Sequence, residues 1–153
     1  MTHYLLRGAL AGAAGTTALN TVTYLDMALR ARPASTTPET TVQKVEDLTG
    51  ARLGSDADEE AHRRSGLGPL LGIATGVAAG ALYGAVRSRW PGLPVPVLAV
   101  GAGAAANLGS TAPMVGLGVT DPREWSATSW VSDLVPHLAF GVATALAYES
   151  FDE

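Results

Sequence analysis

The 153-residue sequence contains no cysteine, a single lysine (Lys44) and only two phenylalanines. Without cysteine there can be no disulfide staple, no thiolate metal site and no thiol nucleophile. Lys and Arg together number 10 against 14 Asp and Glu, a formal net charge of -4. Binding to nucleic acid needs clustered cations to meet phosphates, so that partner is excluded. Charged residues of all kinds make up 16% of the chain, where soluble domains run nearer about 25%. What fills the gap is glycine, 18 residues of it, and a mean hydropathy of +0.20. The length suits one domain, and the composition is that of a membrane protein.

The charges are also unevenly spaced. Residues 90–120 form a run of 31 without a charged side chain, residues 65–86 one of 22, and residues 8–25 one of 18. Residues 125–148 carry a single formal charge, Asp133. About 20 mainly apolar residues take a helix across a hydrocarbon core of ~30 Å, whereas buried helices of soluble proteins are shorter and keep a polar face. The runs predict an all-α fold, an integral membrane four-helix bundle forming a single transmembrane domain over residues 1–153. Its spans fall near 4–29, 66–86, 95–117 and 127–148, and the lipid bilayer is its first partner. Tyr4, Tyr83, Trp90, Trp125, Trp130, Tyr148 and Phe151 lie near span ends, where amphipathic rings favour the headgroup layer; Phe140 sits mid-span. The first apolar stretch has one basic residue ahead of it, Arg7, and no cleavage-site pattern, so it reads as a retained helix.

The polar connection over residues 30–65 has its own structure. Thr37-Pro38-Glu39 supplies an N-cap, a proline at the first helical position and an acid in the first turn. Val42, Val45 and Leu48 follow at three-residue spacing and Gly50 closes the segment, giving a short amphipathic helix on the membrane surface or on the bundle. Ser55-Asp56-Ala57-Asp58 resembles a capping box opening a second helix that either runs on into the next span or is broken from it at Gly66, Gly68 and Pro69. Seven basic residues fall in the first and third connections and three on the other side. The positive-inside tendency then puts both termini outside, the acidic tail of Glu149, Asp152 and Glu153 counting for little.

Gly68, Gly72, Gly76, Gly80 and Gly84 recur every fourth residue. On a helix they line one face, drifting about 40° per step. Such a face lets another backbone approach closely, as small-xxx-small contacts do in lipid. Gly8, Gly12 and Thr16 repeat the spacing in the first span, and Gly101, Ala105 and Gly109 in the third. The partner lies within the chain or in another subunit, so a homo-oligomer or a larger membrane complex is open.

Polar residues inside spans are the candidate site. Asp133 and His137, four apart, share a face of the last span with Pro136 between them. A central acid costs roughly 2.5–3.5 kcal/mol on insertion scales, so Asp133 sits toward water or faces the interior with His137. The pair is either proton-responsive, as intramembrane ionisable groups can be, or a structural hydrogen bond. Asn20 and Asn107 join them as lining of a polar path or as interhelical glue. Asp58 and His62 share a spacing but lack the further ligands a metal needs. No nucleophile, phosphate loop or metalloenzyme signature occurs. The expectation is a non-enzyme with no catalytic residues, no metal and no cofactor.

Four short motifs carry a resemblance. They are Arg7-Gly8-Ala9-Leu10-Ala11-Gly12, Pro38-Glu39, Gly80-Ala81-Leu82-Tyr83-Gly84 and His137-Leu138-Ala139-Phe140-Gly141. In this order they resemble the small bacterial inner-membrane proteins of the YagU type, although the long polar connection departs from that pattern. The resemblance implies a multi-pass protein of the bacterial inner (cytoplasmic) membrane with a link to acid survival, and directs interest to His137. The function expected is interaction through helix packing, in envelope or acid stress or as an accessory subunit. Its rival is a small oligomeric channel or proton-coupled transporter with Asp133, His137, Asn20 and Asn107 along its path. A path requires these residues to converge on a cavity; glue requires each to have a protein partner.

Overall fold

The computed structural model describes residues 2–151; Asp152 and Glu153 of the acidic tail lie outside the described residues. Five α-helices follow in order: α1 (Thr2–Arg30), α2 (Thr37–Thr49), α3 (Ala57–Arg89), α4 (Val95–Gly116) and α5 (Ala127–Glu149), with a 3-10 turn at Pro122–Glu124. No strand occurs among the described residues. Three helices, α3, α4 and α5, are long and apolar enough to cross a membrane. Of the four spans expected, the first, α1, does not meet that measure among the described residues. It has the length, 29 residues, but Thr16, Thr17, Asn20, Thr21 and Thr23 dilute its apolar run.

The helix opened in the polar connection runs on into the next span as α3: Gly66, Gly68 and Pro69 do not interrupt it, and it continues for 33 residues, roughly 50 Å at ~1.5 Å per residue. Its N-cap is Asp56, whose carboxylate accepts from the Glu59 N–H at 2.9 Å. Glu59 reaches back to the Ser55 N–H at 2.8 Å. The capping box is thus Asp56 with Glu59, one residue beyond the Ser55/Asp58 register expected. Tertiary packing then carries the helix through its breakers: Pro38 of α2 lies against Gly68, where an added Cβ would come within 2.8 Å of it. Gly68 is where α2 and α3 meet, not where α3 stops, and Gly66 is open.

α2 begins at Thr37, after an N-cap Thr36 that makes no side-chain cap bond, and ends at Gly50 with φ 69°, as its C-terminal glycine requires. Its buried face differs from the expected stripe. Val42 is buried, but Val45 and Leu48 are exposed, and Thr41 and Glu46 take their place against α3. Glu46 accepts from Arg64 Nε and from the Leu53 N–H at 3.3 Å. The adjacent guanidinium holds the Glu46 carboxyl below its ordinary 4.5. A charged pair, not an apolar stripe, seats α2.

Four helices stand side by side. α1 lies between α3 and α5, and α4 packs on α5 and, less extensively, on α3. Pairings such as Gly8 with Gly80 and Gly84, and Gly12 with Gly76, make α1 and α3 antiparallel; Gly141 with Ala99 and Gly103 does the same for α4 and α5. The interior is built from small side chains, Ala11, Ala79, Ala99, Ala102, Ala106 and Ala145, around Tyr83, Phe140 and Tyr148. The large aliphatics point outward: Leu29, Leu108 and Leu146 are 84%, 63% and 66% exposed. In water this distribution would leave an apolar patch far larger than soluble monomers carry. In lipid it is favourable, since tails solvate leucine and small residues let backbones meet.

Tyr83 and Tyr148 also correct the aromatic expectation. Neither faces headgroups; both are buried, with ring centroids 5.1 Å apart. Tyr83 Oη donates to Glu149 at 3.2 Å, and Arg87 grips the same carboxylate through two bonds of 2.9 and 2.8 Å. This cluster ties the C-terminal ends of α3 and α5 together. Trp125 and Trp130, at the other end of α5, stack edge to face at 5.1 Å.

Two outcomes follow from this packing. A Cβ at Gly12 would stand 2.5 Å from the Gly76 carbonyl oxygen, whereas Gly72 and Gly101 have nothing within 4 Å. Gly12→Val should lower stability by about 1–3 kcal/mol through overpacking, while Gly72→Ala should raise it by roughly 0.5–1 kcal/mol through helix propensity. Thermal unfolding in detergent, followed by circular dichroism, separates the two. The Glu46–Arg64 pair stabilises α2 docking fully above pH 4.5 and less as pH falls through the lowered folded-state value. Protection factors over α2, with the intrinsic pH dependence of amide exchange divided out, should therefore fall below pH 4.5, and Arg64→Met should remove most of that pH dependence.

Candidate functional site

The polar residues of the spans divide between local and interhelical partners. Thr16 donates to the Gly12 carbonyl at 2.8 Å and Ser110 to the Ala106 carbonyl at 3.1 Å, both within their own helices. Asp26 is held by Arg30 and Arg32, and Arg30 also reaches Ser132 of α5. Asn20 is half-buried on α1, and no hydrogen bond joins it to the other candidates. Asp58 and His62 are both exposed near the start of α3, and no group of three or more His, Asp and Glu gathers among the described residues.

Asn107, Asp133 and His137 do converge. Asn107 Nδ2 donates to Asp133 Oδ2 across the α4–α5 contact. His137 Nδ1 lies 2.7 Å from the Asp133 backbone carbonyl and 3.7 Å from Asp133 Oδ1. A carbonyl can only accept, so Nδ1 carries a proton. The 3.3 Å approach of Asn107 Nδ2 to the same Nδ1 then brings two donors together and is not a hydrogen bond. Both acidic and basic side chains are largely covered, Asp133 at 22% and His137 at 14% exposure.

Why the three meet is a matter of backbone distance. An added Cβ at Gly103 would lie 2.6 Å from the His137 carbonyl oxygen, and one at Gly141 would meet the Ala99 backbone. With nothing on Gly103 and Gly141, α4 and α5 approach closely enough for Asn107, one turn past Gly103, to reach Asp133. Pro136 lies inside α5 and is itself buried; its missing N–H removes one backbone bond from this stretch.

The sequence reading assigned the contact face of α4 to Gly101, Ala105 and Gly109. That register is corrected: Gly101 is open and Gly109 meets only the Thr75 methyl at 3.0 Å. The working face is Ala99, Gly103 and Asn107, which has the same four-residue spacing and ends on the polar residue it serves. The same rule applied to His137, Gly141 and Ala145 gives the matching face of α5. On α3 the five glycines also split: Gly68 meets α2, Gly76, Gly80 and Gly84 meet α1, and Gly72 falls between with no neighbour within 4 Å. A drift of about 40° per step is enough to carry one stripe from one partner to the next. Gly15, unmarked in the sequence reading, faces Phe140 and Thr144 of α5.

Outside the three polar residues the α4–α5 contact opens as a groove of about 330 Å³, lined by Val100, Gly103, Ala104, Asn107, Leu108, Leu134, His137 and Leu138. Apart from Asn107 and His137 its walls are apolar. Comparison with protein-family models, curated proteins and solved structures finds no match.

If the trio holds α4 to α5, removing its donor should cost more than neutralising its acid. Asn107→Ala leaves Asp133 without its interhelical bond and should destabilise by about 1–3 kcal/mol. Asp133→Asn keeps an acceptor for Asn107 and should cost clearly less. Unfolding midpoints in one detergent, with the double variant to close the cycle, give the coupling between the two sites.

Proposed function

We propose that the chain is a non-enzymatic, multi-pass protein of the bacterial inner membrane that acts through helix packing and protein interaction. α1 serves as its fourth span. The observation that carries this reading is the distribution of side chains: a glycine and alanine interior, with leucines outside and the polar residues of α4 and α5 answering one another. An interior closed by backbone contacts leaves little room for a water-filled path between α1 and α3. The spare polarity of α1 faces partners that span with it. The envelope or acid-stress role implied by the YagU-type resemblance, in a homo-oligomer or as an accessory subunit, belongs to the same proposal.

The rival reading, a proton-coupled transporter, draws on the meeting of Asp133, His137 and Asn107 but lacks Asn20. Proteoliposomes under an imposed pH gradient decide between them. Proton flux should not exceed that of empty liposomes; flux abolished by both Asp133→Asn and His137→Ala would establish the transporter instead. The cysteine-free sequence makes the span count directly testable. His3→Cys and Phe151→Cys should react with an impermeant maleimide from the same, outer side of the membrane. Labelling from opposite sides would mean three spans and remove α1 from the bilayer.

A further inference from the structure

The groove between α4 and α5 has two polar atoms that the trio does not use. Nδ1 of His137 is committed to the Asp133 carbonyl, which leaves Nε2 as the ring's second polar atom. Nδ2 of Asn107 is committed to Asp133, which leaves Oδ1, an acceptor. Among the described residues neither atom has a hydrogen-bond partner, and neither is sealed from the surface. Both residues line the groove. His137 stands ten residues into α5, about 15 Å along a 23-residue helix. That is the middle of the span, where lipid tails offer no donor to an acceptor and an unanswered polar group is costly.

We propose that this groove binds a neutral, hydroxyl-headed lipid: a long-chain or isoprenoid alcohol whose hydroxyl hydrogen-bonds to His137 Nε2 or Asn107 Oδ1. The chemistry of the walls selects against other heads. No Lys or Arg lines the groove, and the Asp133 carboxylate lies just behind it, so phosphate and fatty-acid headgroups are repelled. Mid-span depth disfavours any ionised head far more than a hydroxyl that finds a hydrogen-bond partner there. The volume, about 330 Å³, lies at the small end of the roughly 300–1,000 Å³ of ligand sites. It admits the head and its first carbons, with the tail left among lipids along the exposed Val100, Leu108 and Leu134. Ala104, exposed at the groove wall, and Gly103, at its floor, keep it from being filled by the protein itself.

The inference rests on membrane insertion, and on no view of which protein partners the chain has. Its test uses full-length protein in phosphatidylcholine nanodiscs, with incorporation confirmed by size exclusion before any probe is added. The probe is a hexadecanol carrying a diazirine near its hydroxyl, photolysed in place and mapped by mass spectrometry. Crosslinks should concentrate on residues 100–108 and 134–138, and excess unlabelled hexadecanol should reduce them at least fivefold. Palmitate and hexadecyltrimethylammonium at the same concentration should reduce them less than twofold. Ala104→Phe, which fills the groove from an exposed position and so spares the bundle, should lower the yield at least fivefold, as should His137→Phe. Labelling spread evenly over the lipid-facing helices, equal competition by palmitate, or yield unchanged by Ala104→Phe would overturn the proposal. Because these outcomes are read on incorporated protein, they bear on the ligand and not on whether the chain enters a membrane.

Discussion

Everything in this fold depends on helices whose backbones touch. Gly8 and Gly12 of α1 lie against Gly76, Gly80 and Gly84 of α3, and Gly103 of α4 lies against α5 at positions where a Cβ would not fit. In lipid there is no hydrophobic gain from hiding leucine, so association draws on dispersion between close surfaces and on interhelical hydrogen bonds. Each glycine also costs helix propensity. Spending it is worthwhile only where the partner backbone comes in, and the open glycines at 72 and 101 lie outside that account.

Close approach governs the polar chemistry as well. Asn107 is a short side chain, and it reaches Asp133 because Gly103 and Gly141, one turn away, have already brought α4 and α5 together. The acid that would burden an isolated helix is answered by a donor on the next one. His137 then completes the set through its own helix's carbonyl, which fixes its tautomer and turns Nε2 toward the groove. Packing thus decides hydrogen bonding, and hydrogen bonding decides which nitrogen is left for chemistry.

The helical class and most helix limits were legible in the gaps between charges: α4 and α5 were placed to within a residue, because an uncharged run bounded by polar residues has few other solutions. The Asp133–His137 proximity was legible from i, i+4 spacing. Asn107 was named as a candidate, but its meeting with that pair needed the α4 register, and that register was misread. Glycine is conspicuous and alanine is not, so Gly101 and Gly109 drew attention that belonged to Ala99 and Gly103. Tyr83 and Tyr148 were misplaced for a related reason. Position along a span says how deep a ring sits, not whether it points to lipid or inward, and here the Arg87–Glu149 pair holds the end of the bundle closed over both rings. The continuity of α3 was one of two open alternatives, because Gly66, Gly68 and Pro69 weaken a helix locally and the Pro38–Gly68 contact that favours continuation joins segments 30 residues apart.

α1 poses the remaining tension, being the long helix without a stretch apolar enough to cross a membrane by composition and yet the one flanked on both sides. Its threonines divide accordingly: Thr16 is buried where α1 meets Gly76 of α3, while Thr17 and Thr21 stay exposed on the outer face. Thr16, Thr17 and Thr21 each donate to the carbonyl four residues back, which satisfies the hydroxyl without a neighbour and leaves the outer surface of the side chain a methyl group. At Thr16 the small side chain also keeps the helix narrow where Gly76 of α3 approaches. Replacing Thr16 by leucine would raise the hydropathy of α1 while spoiling the contact that gives the helix a reason to insert.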